Sequence, residues 1–236
     1  MDLEKGITAL EKFFLDVIGQ VIPGGILIFG LLHLYNPSIL PYYMLNIKIS
    51  TATWLILLAL MYSTGYVVSS LSKVTIYFAN LIRKLIKKKQ IDENSIADLI
   101  IGEEVYKKVI VGFGFDPANR SRAVRDARNA ILSGVSFEDN YLIRRFTFIA
   151  LFNVGIATSL SITLILSFID YVLANFTNVD FGLFFFDPAI MWGMVVGIIA
   201  FCDRYFDFYV RSMRTPFSIA RSKVYIEPAV GSSASP

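Results

Sequence analysis

Four arginines fall within nine residues of one predicted helix, and they are the most distinctive chemical cluster in the 236-residue chain. They are Arg120, Arg122, Arg125 and Arg128. The last three recur at intervals of three residues, which places them on neighbouring positions of a helix surface. Guanidinium groups so placed can hold phosphate oxygens through paired hydrogen bonds. These arginines are therefore predicted to bind an anionic ligand. The alternative is a solvated helix face, whose charge Asp126 and Asp116 offset.

Other residues that could carry chemistry are isolated in the sequence. The chain has one histidine, His33, and one cysteine, Cys202, so we expect neither a metal cluster nor an intrachain disulfide. Asp203 and Asp207 could share a metal, but Arg204 between them favours an ordinary charged helix end. The sequence contains no catalytic motif and no phosphate-binding loop. We therefore predict that the protein is not an enzyme and binds no cofactor.

Small and weakly polar residues form helical rows in two apolar segments. The rows are Asn153, Ala157 and Ser161; Gly155, Ser159 and Thr163; and Ala189, Gly193 and Gly197. Rows of this kind either pack closely against other helices or line a wet path through the membrane. The third row has the small-residue spacing that lets two helices approach closely, and it predicts a homo-oligomer.

Long uncharged segments indicate that membrane helices position these residues. An α-helix needs about 20 apolar residues to cross a hydrocarbon layer of ~30 Å. The composition agrees, because 55% of the residues are hydrophobic and only 17% are charged. The candidate segments are residues 17–35, 49–72, 146–169 and a shorter one at 188–202. The predicted fold is all-α: a polytopic membrane protein with four transmembrane helices and a small cytoplasmic helical domain.

The distribution of lysine and arginine predicts the orientation of these spans. Residues 73–145 contain fourteen Lys and Arg residues, whereas the connection between spans three and four contains none. Positive charge is retained on the cytoplasmic side, so both termini are predicted to lie inside. Trp54 and Trp192 then fall near the outer interface, where indole rings concentrate. The expected location is the inner (plasma) membrane, with the lipid bilayer as the first partner.

The first span contains a helix-disturbing triplet, Pro23-Gly24-Gly25. We expect a kinked span, because neighbouring helices can satisfy the freed carbonyl group. A re-entrant segment is the alternative. Before this span, apolar residues alternate at intervals of four and three from Leu3 to Val21, which predicts an amphipathic helix. That helix either lies in the membrane interface or forms a seam with another helix.

The basic region between spans two and three is predicted to form a small helical domain. Span two should continue as a helix from Lys73 to Lys89, with its terminal cations anchoring the topology. Ser95 is predicted to cap the next helix, and Gly112-Phe113-Gly114 to end it. Asp116 before proline, and then Ser136, are predicted to begin the last two helices.

The chain therefore divides into five predicted parts. They are an amphipathic N-terminal helix (1–16), transmembrane helices one and two (17–72), a cytoplasmic basic helical domain (73–145), transmembrane helices three and four (146–202), and a cytoplasmic C-terminal helix with a flexible tail (203–236). The last six residues are small and uncharged, as in a linker.

This layout, with the arginine-bearing helix of residues 120–128, resembles the small multi-pass effectors of bacterial anti-phage defence operons. Those effectors sense a nucleotide or oligonucleotide and disrupt the inner membrane. The resemblance implies an oligomeric, channel-like effector that is gated at its cytoplasmic domain by an anionic ligand or a protein partner. The alternative function is a non-conducting membrane adaptor that recruits a soluble partner.

Overall fold

The computed structural model describes residues 3–35, 50–85, 93–134, 136–177 and 188–231. The described residues form seven α-helices, one 3-10 turn at Pro117–Asn119, and no strand. The helices are α1 (Leu3–Tyr35), α2 (Thr51–Leu85), α3 (Glu93–Ile101), α4 (Glu104–Gly112), α5 (Arg120–Gly134), α6 (Phe137–Thr177) and α7 (Pro188–Gly231).

Four of these helices are long and apolar enough to cross a membrane. The candidate spans are Phe13–Leu32, Thr51–Lys84, Asp139–Leu173 and Pro188–Ser222. An apolar helix satisfies its own backbone hydrogen bonds, which is the condition for crossing hydrocarbon. The structure therefore confirms an all-helical, multi-pass membrane protein.

The chain folds as two compact units. The first consists of residues Met1–Ala79 and Leu151–Tyr205, and the second of Asn80–Ala150 and Phe206–Pro236. The first unit contains most of the apolar helical sequence, and the second contains the arginine-bearing helix α5.

Close packing around Pro23 organises the first unit. Pro23 and Gly24 are buried, and a Cβ atom at Gly24 would lie 2.7 Å from the backbone nitrogen of Gly65 on α2. Gly65 itself lies against the backbone of Gln20. A Cβ at Gly155 of α6 would lie 2.9 Å from Cγ of Pro23. Glycine is thus required on three helices, because a side chain at Gly24 or Gly65 would separate the α1 and α2 backbones, and one at Gly155 would displace the Pro23 ring.

Hydroxyl groups within α6 are satisfied where they are buried. The Ser159 hydroxyl lies 2.7 Å from the carbonyl oxygen of Pro23 and 3.1 Å from that of Gly155. Thr163 donates to the Ser159 carbonyl at 3.0 Å, and its side chain also packs close to Gly30 of α1. These bonds let polar side chains occupy an apolar interior without the penalty of an unpaired group.

The first span is continuous, not broken at its proline. Helix α1 runs from Leu3 to Tyr35 through Pro23 and joins the predicted amphipathic segment to the predicted span. The structure therefore agrees with a spanning helix and not with a re-entrant turn at the Pro-Gly-Gly triplet. The triplet serves as a small-residue contact because α2 and α6 pack against it.

The fourth span and the C-terminal helix are also one element. The charged residues at positions 203–207 were expected to mark a helix end, but α7 continues through them to Gly231. That expectation was wrong, because charged side chains on an exposed face do not interrupt a helix whose other face is buried. Tyr205 and Phe206 provide that buried face.

Most of the predicted helix boundaries in the second unit are confirmed. Asp116 accepts a hydrogen bond from the Ala118 amide at 2.9 Å, with Pro117 opening the turn that precedes α5. Ser136 accepts one from the Asp139 amide at 3.3 Å at the start of α6. Helix α4 ends at Gly112, and Gly114 has a positive φ of 79°.

The predicted cap at Ser95 was wrong. Ser95 lies inside α3, which begins at Glu93, and the predicted single helix is divided at Gly102-Glu103 into α3 and α4. Helix α2 continues beyond Lys73 as expected, to Leu85, and the lysines at 87–89 lie outside the described residues.

We predict that Gly24→Ala destabilises the first unit by about 1–3 kcal/mol, because its methyl group would collide with the α2 backbone. Gly6→Ala on the same helix is the matched control, since no atom lies within 4 Å of a Cβ there. Thermal unfolding in mild detergent measures the difference. Equal melting temperatures for the two variants would contradict the close contact between α1 and α2.

Candidate functional site

Helix α5 is held by the hydrophobic core of the second unit. This core joins α3, α4 and α5 to the C-terminal part of α7. Its buried members are Ile96, Ala97, Ile100, Tyr106, Ile110, Ala123, Val124, Ala127, Ile131 and Phe217. The α5 residues among them lie at the helical spacing of one face, so the opposite face of α5 is left for its polar side chains.

Phe217 fixes α7 in this core. Its side chain is fully buried, and its ring centroid lies 5.9 Å from that of Tyr106 on α4. The Tyr106 hydroxyl is hydrogen-bonded to Ser218 at 2.9 Å, and Arg214 forms an ion pair with Glu103. These three contacts from one segment of α7 tie it to α4 and to the residue before it. They were not predicted from the sequence, in which the apolar spacing of residues 209–220 was the signal for a packed helix.

Two of the four predicted ligand arginines are engaged with acids. Arg120 lies 3.4 Å from Asp98 of α3, and Arg122 lies 3.7 Å from Asp126 one turn later on α5. Both pairs are largely exposed, so each contributes little stability. These ion pairs nevertheless lower the local positive charge. They fit the alternative interpretation of α5, in which its arginines lie on a solvated helix face whose charge is balanced by acids.

Arg125 and Arg128 have different surroundings from the first two arginines. Arg125 is exposed on α5, and Arg128, one turn later, is half-buried. The Nε atom of Arg128 is buried and has no hydrogen-bond partner among the described residues. Burial lowers the pKa of the Arg128 guanidinium, and the nearby Tyr209 of α7 opposes that shift. An arginine remains protonated all the same, so the buried part of this charge lacks compensation.

An anion could approach Arg128 only through the part of its side chain that is not buried, because the Nε atom itself is inaccessible. A phosphate or carboxylate there would offset the guanidinium charge. Arg125 is within one helical turn and could contact the same anion. Arg120 and Arg122 are thus paired with acids, whereas Arg125 and Arg128 form no ion pair among the described residues. Ligand binding by these four arginines stays a prediction.

The candidate packing residues of the first unit occupy different environments. Asn153, Ser159 and Thr163 are buried, which favours helix packing for those positions. Ser161 is only half-buried, and its hydroxyl donates to the Ala157 carbonyl at 2.8 Å. Ser161 is therefore the least buried polar member of these rows.

The small-residue row on α7 is divided in its environment. Ala189 and Gly193 are exposed, and no atom lies within 4 Å of a Cβ built at Gly193. A Cβ at Gly197 would instead lie 3.1 Å from the side chain of Leu160. Among the described residues, the row therefore packs within the chain at Gly197, whereas its Ala189 and Gly193 end is exposed.

Arg83, the first cation of the cluster predicted to anchor α2, has a contact within the second unit. Its guanidinium lies over the Phe206 ring, 4.4 Å from the centroid, which is a cation–π arrangement. The cations at this end of α2 were predicted to anchor it at the membrane surface, and the contact with Phe206 was not expected because the two residues are 123 positions apart.

No cluster of three or more potential metal ligands occurs in the part of the chain that the structure describes. Asp203 is half-buried, whereas Arg204 and Asp207 are exposed. No protein-family model, curated protein or solved structure matches this chain.

We predict that Phe217→Ala destabilises the second unit by about 3–5 kcal/mol, because it leaves a cavity in a fully buried site. The matched control is Phe113→Ala, since Phe113 in the same unit is 45% exposed. Hydrogen exchange of α3, α4 and α5 measures the effect, and exchange should accelerate only in the Phe217 variant. Similar protection in both variants would show that α7 is not part of this core.

Proposed function

We propose that the protein is an oligomeric, channel-like membrane effector. Its second unit lies on the cytoplasmic side and binds an anionic ligand, a nucleotide or an oligonucleotide, at Arg125 and Arg128. Ligand binding changes the permeability of the membrane. The charge distribution supports an orientation with both termini inside. The resemblance to anti-phage effectors supports a bacterial inner membrane and a role in antiviral defence.

The observation that carries this proposal is the position of Arg128 beside α7. Tyr209 of α7 is the neighbour that acts on the charge of Arg128, and Phe217 packs α7 into the core that holds α5. Helix α7 is continuous from Pro188, so the same helix provides both a candidate span and this contact. An anion at Arg128 would alter the packing between α5 and α7, and a rigid helix would carry that change into the membrane.

The charge distribution supports a cytoplasmic second unit. Residues 73–145 contain fourteen of the 22 Lys and Arg residues in the chain. Long-range attraction from this excess of cations would also concentrate anionic ligands at the domain. A non-conducting adaptor could use the same basic surface for an acidic soluble partner, and the experiments below distinguish the two functions.

We predict that the purified full-length protein binds fluorescently labelled ATP or a labelled oligonucleotide, and that Arg125→Glu weakens this binding about tenfold or more. The reason is the loss of a charge-assisted hydrogen bond and its replacement by repulsion. Lys107→Glu is the control, because it makes the same charge change on an exposed residue of α4. Fluorescence anisotropy measures both affinities, and equal weakening by the two variants would indicate attraction without a site.

We predict that the protein in planar bilayers gives discrete currents that change when ATP or an oligonucleotide is added. Arg125→Glu should abolish the ligand response, and Ser161→Leu should alter the conductance by placing an apolar side chain on a wet path. Ser69→Leu, at an exposed serine of α2, is the control for Ser161→Leu. A silent bilayer with every ligand, together with a soluble protein that co-purifies, would instead support the adaptor.

A further inference from the structure

An aromatic contact between α6 and α7 brings two exposed arginines to the same end of this helix pair. Phe146 of α6 and Phe208 of α7 lie with their ring centroids 6.1 Å apart. Arg145 directly precedes Phe146, and the guanidinium of Arg211 lies over the Phe208 ring, 5.4 Å from its centroid. Both arginines are exposed. The contact between the two rings therefore joins the two segments that carry these cations.

The length of α6 places these cations at the depth of lipid headgroups. Residues 146–169 carry no formal charge, and as a helix they rise about 36 Å, whereas the hydrocarbon layer is ~30 Å thick. Arg145 therefore lies within about 8 Å of one edge of the hydrocarbon, which is about the thickness of a headgroup layer. Consecutive spans run in opposite directions, so Arg211, three residues beyond Phe208, lies within about 3 Å of the same depth. This depth is the same for either orientation of the protein.

The guanidinium groups of both arginines have donors available for a phosphate. Neither arginine forms an ion pair within the part of the chain that the structure describes. A guanidinium stacked on an aromatic face is held in place without using its N–H groups, which can then donate in pairs to phosphate oxygens. Asp207, one turn before Arg211 on α7, is exposed and is the neighbouring acid that opposes the binding of an anion.

We infer that Arg145 and Arg211 bind the phosphate group of an anionic phospholipid. A lipid is the occupant that this position favours, because phospholipid phosphates are concentrated at the depth of the two guanidinium groups and the acyl chains of the same lipid can lie along the apolar helices. Positive side chains near an anionic membrane surface are attracted to its headgroups. The site is separate from the arginines of α5, and it depends neither on the proposed ligand nor on conduction.

Arg144 distinguishes a lipid site from general attraction to the membrane surface. It is exposed and directly precedes Arg145, and its Nε atom donates to Oδ1 of Asn140 at 3.2 Å. Two residues of helix correspond to a rotation of about 200°, so Arg144 lies on the opposite side of α6 from Phe146. It has the charge and nearly the depth of Arg145 but lies away from α7. General attraction would use the two residues equally, whereas a site at the α6–α7 contact uses Arg145.

Native mass spectrometry of the full-length protein in mild detergent tests the site by titration with phosphatidylglycerol. Phosphatidylcholine with the same acyl chains is the comparison lipid, and it should bind more weakly because its headgroup has no net charge. The double variant Arg145→Gln with Arg211→Gln should weaken the binding of phosphatidylglycerol about tenfold or more, because two charge-assisted contacts are lost. Arg144→Gln is the matched control and should leave the affinity unchanged. Equal binding of the two lipids by the native protein would contradict the site.

Two further variants test the geometry of the site. Phe208→Leu keeps an apolar side chain against α6 but removes the ring under Arg211, and it should weaken lipid binding about threefold. Asp207→Asn should strengthen lipid binding, because it removes a charge that repels the phosphate. If Arg144→Gln weakens binding as much as Arg145→Gln does, the attraction is general and the site is refuted. Unchanged affinity in Phe208→Leu would refute the role of the aromatic contact.

Competition with inorganic phosphate identifies the source of the phosphate group. An excess of inorganic phosphate should leave the bound phosphatidylglycerol in place, because a soluble anion lacks the acyl chains that hold the lipid at this depth. Displacement of the lipid by inorganic phosphate would assign the two arginines to a soluble phosphate compound and overturn the lipid as occupant. Lipid binding that depends on Arg145 and Arg211 in a protein that gives no current would support this site and refute the channel.

Discussion

The close contact at Pro23 and Gly24 is the constraint on which the first unit depends. Lipid tails are as apolar as leucine side chains, so helices in a membrane gain little by burying hydrophobic surface against each other. They associate through close backbone packing and hydrogen bonds. Gly24 against Gly65, Gly155 against Pro23, and Ser159 bonded to the Pro23 carbonyl provide both at one place. Helices α1, α2 and α6 meet there because only small residues allow it.

The second unit is stabilised by a different principle, the burial of an ordinary hydrophobic core. Short helices such as α3 and α4 are marginal by themselves, and packing against Phe217 provides the stability that their length does not. Arg128 sits at the edge of this core with an unpaired buried donor. Helix α7 forms part of this core and is continuous with the candidate span that begins at Pro188.

Local signals in the sequence were reliable where the structure depends on neighbouring residues. The caps at Asp116 and Ser136 and the helix stop at Gly114 follow from side chains and backbone angles within a few positions. Local sequence signals gave wrong helix boundaries where contacts with a distant segment of the chain determine whether a helix continues. Ser95 had the pattern of a cap but lies inside α3, and the charged residues after Cys202 continue a helix because its other face is buried.

The sequence by itself determined that the protein has four helices long and apolar enough to cross a membrane, because length and apolar composition are properties that no tertiary contact can change. It also located the arginines of α5 as the chemical cluster. Only the tertiary structure distinguished their surroundings: Arg120 is paired with an acid on α3, whereas Arg128 is half-buried near Tyr209 of α7 and its Nε atom has no hydrogen-bond partner among the described residues. The tertiary structure also showed that Gly24 and Gly65 pack against a neighbouring helix, whereas Gly193 is exposed. The burial of a residue depends on which helices meet, and that depends on residues far apart in the chain.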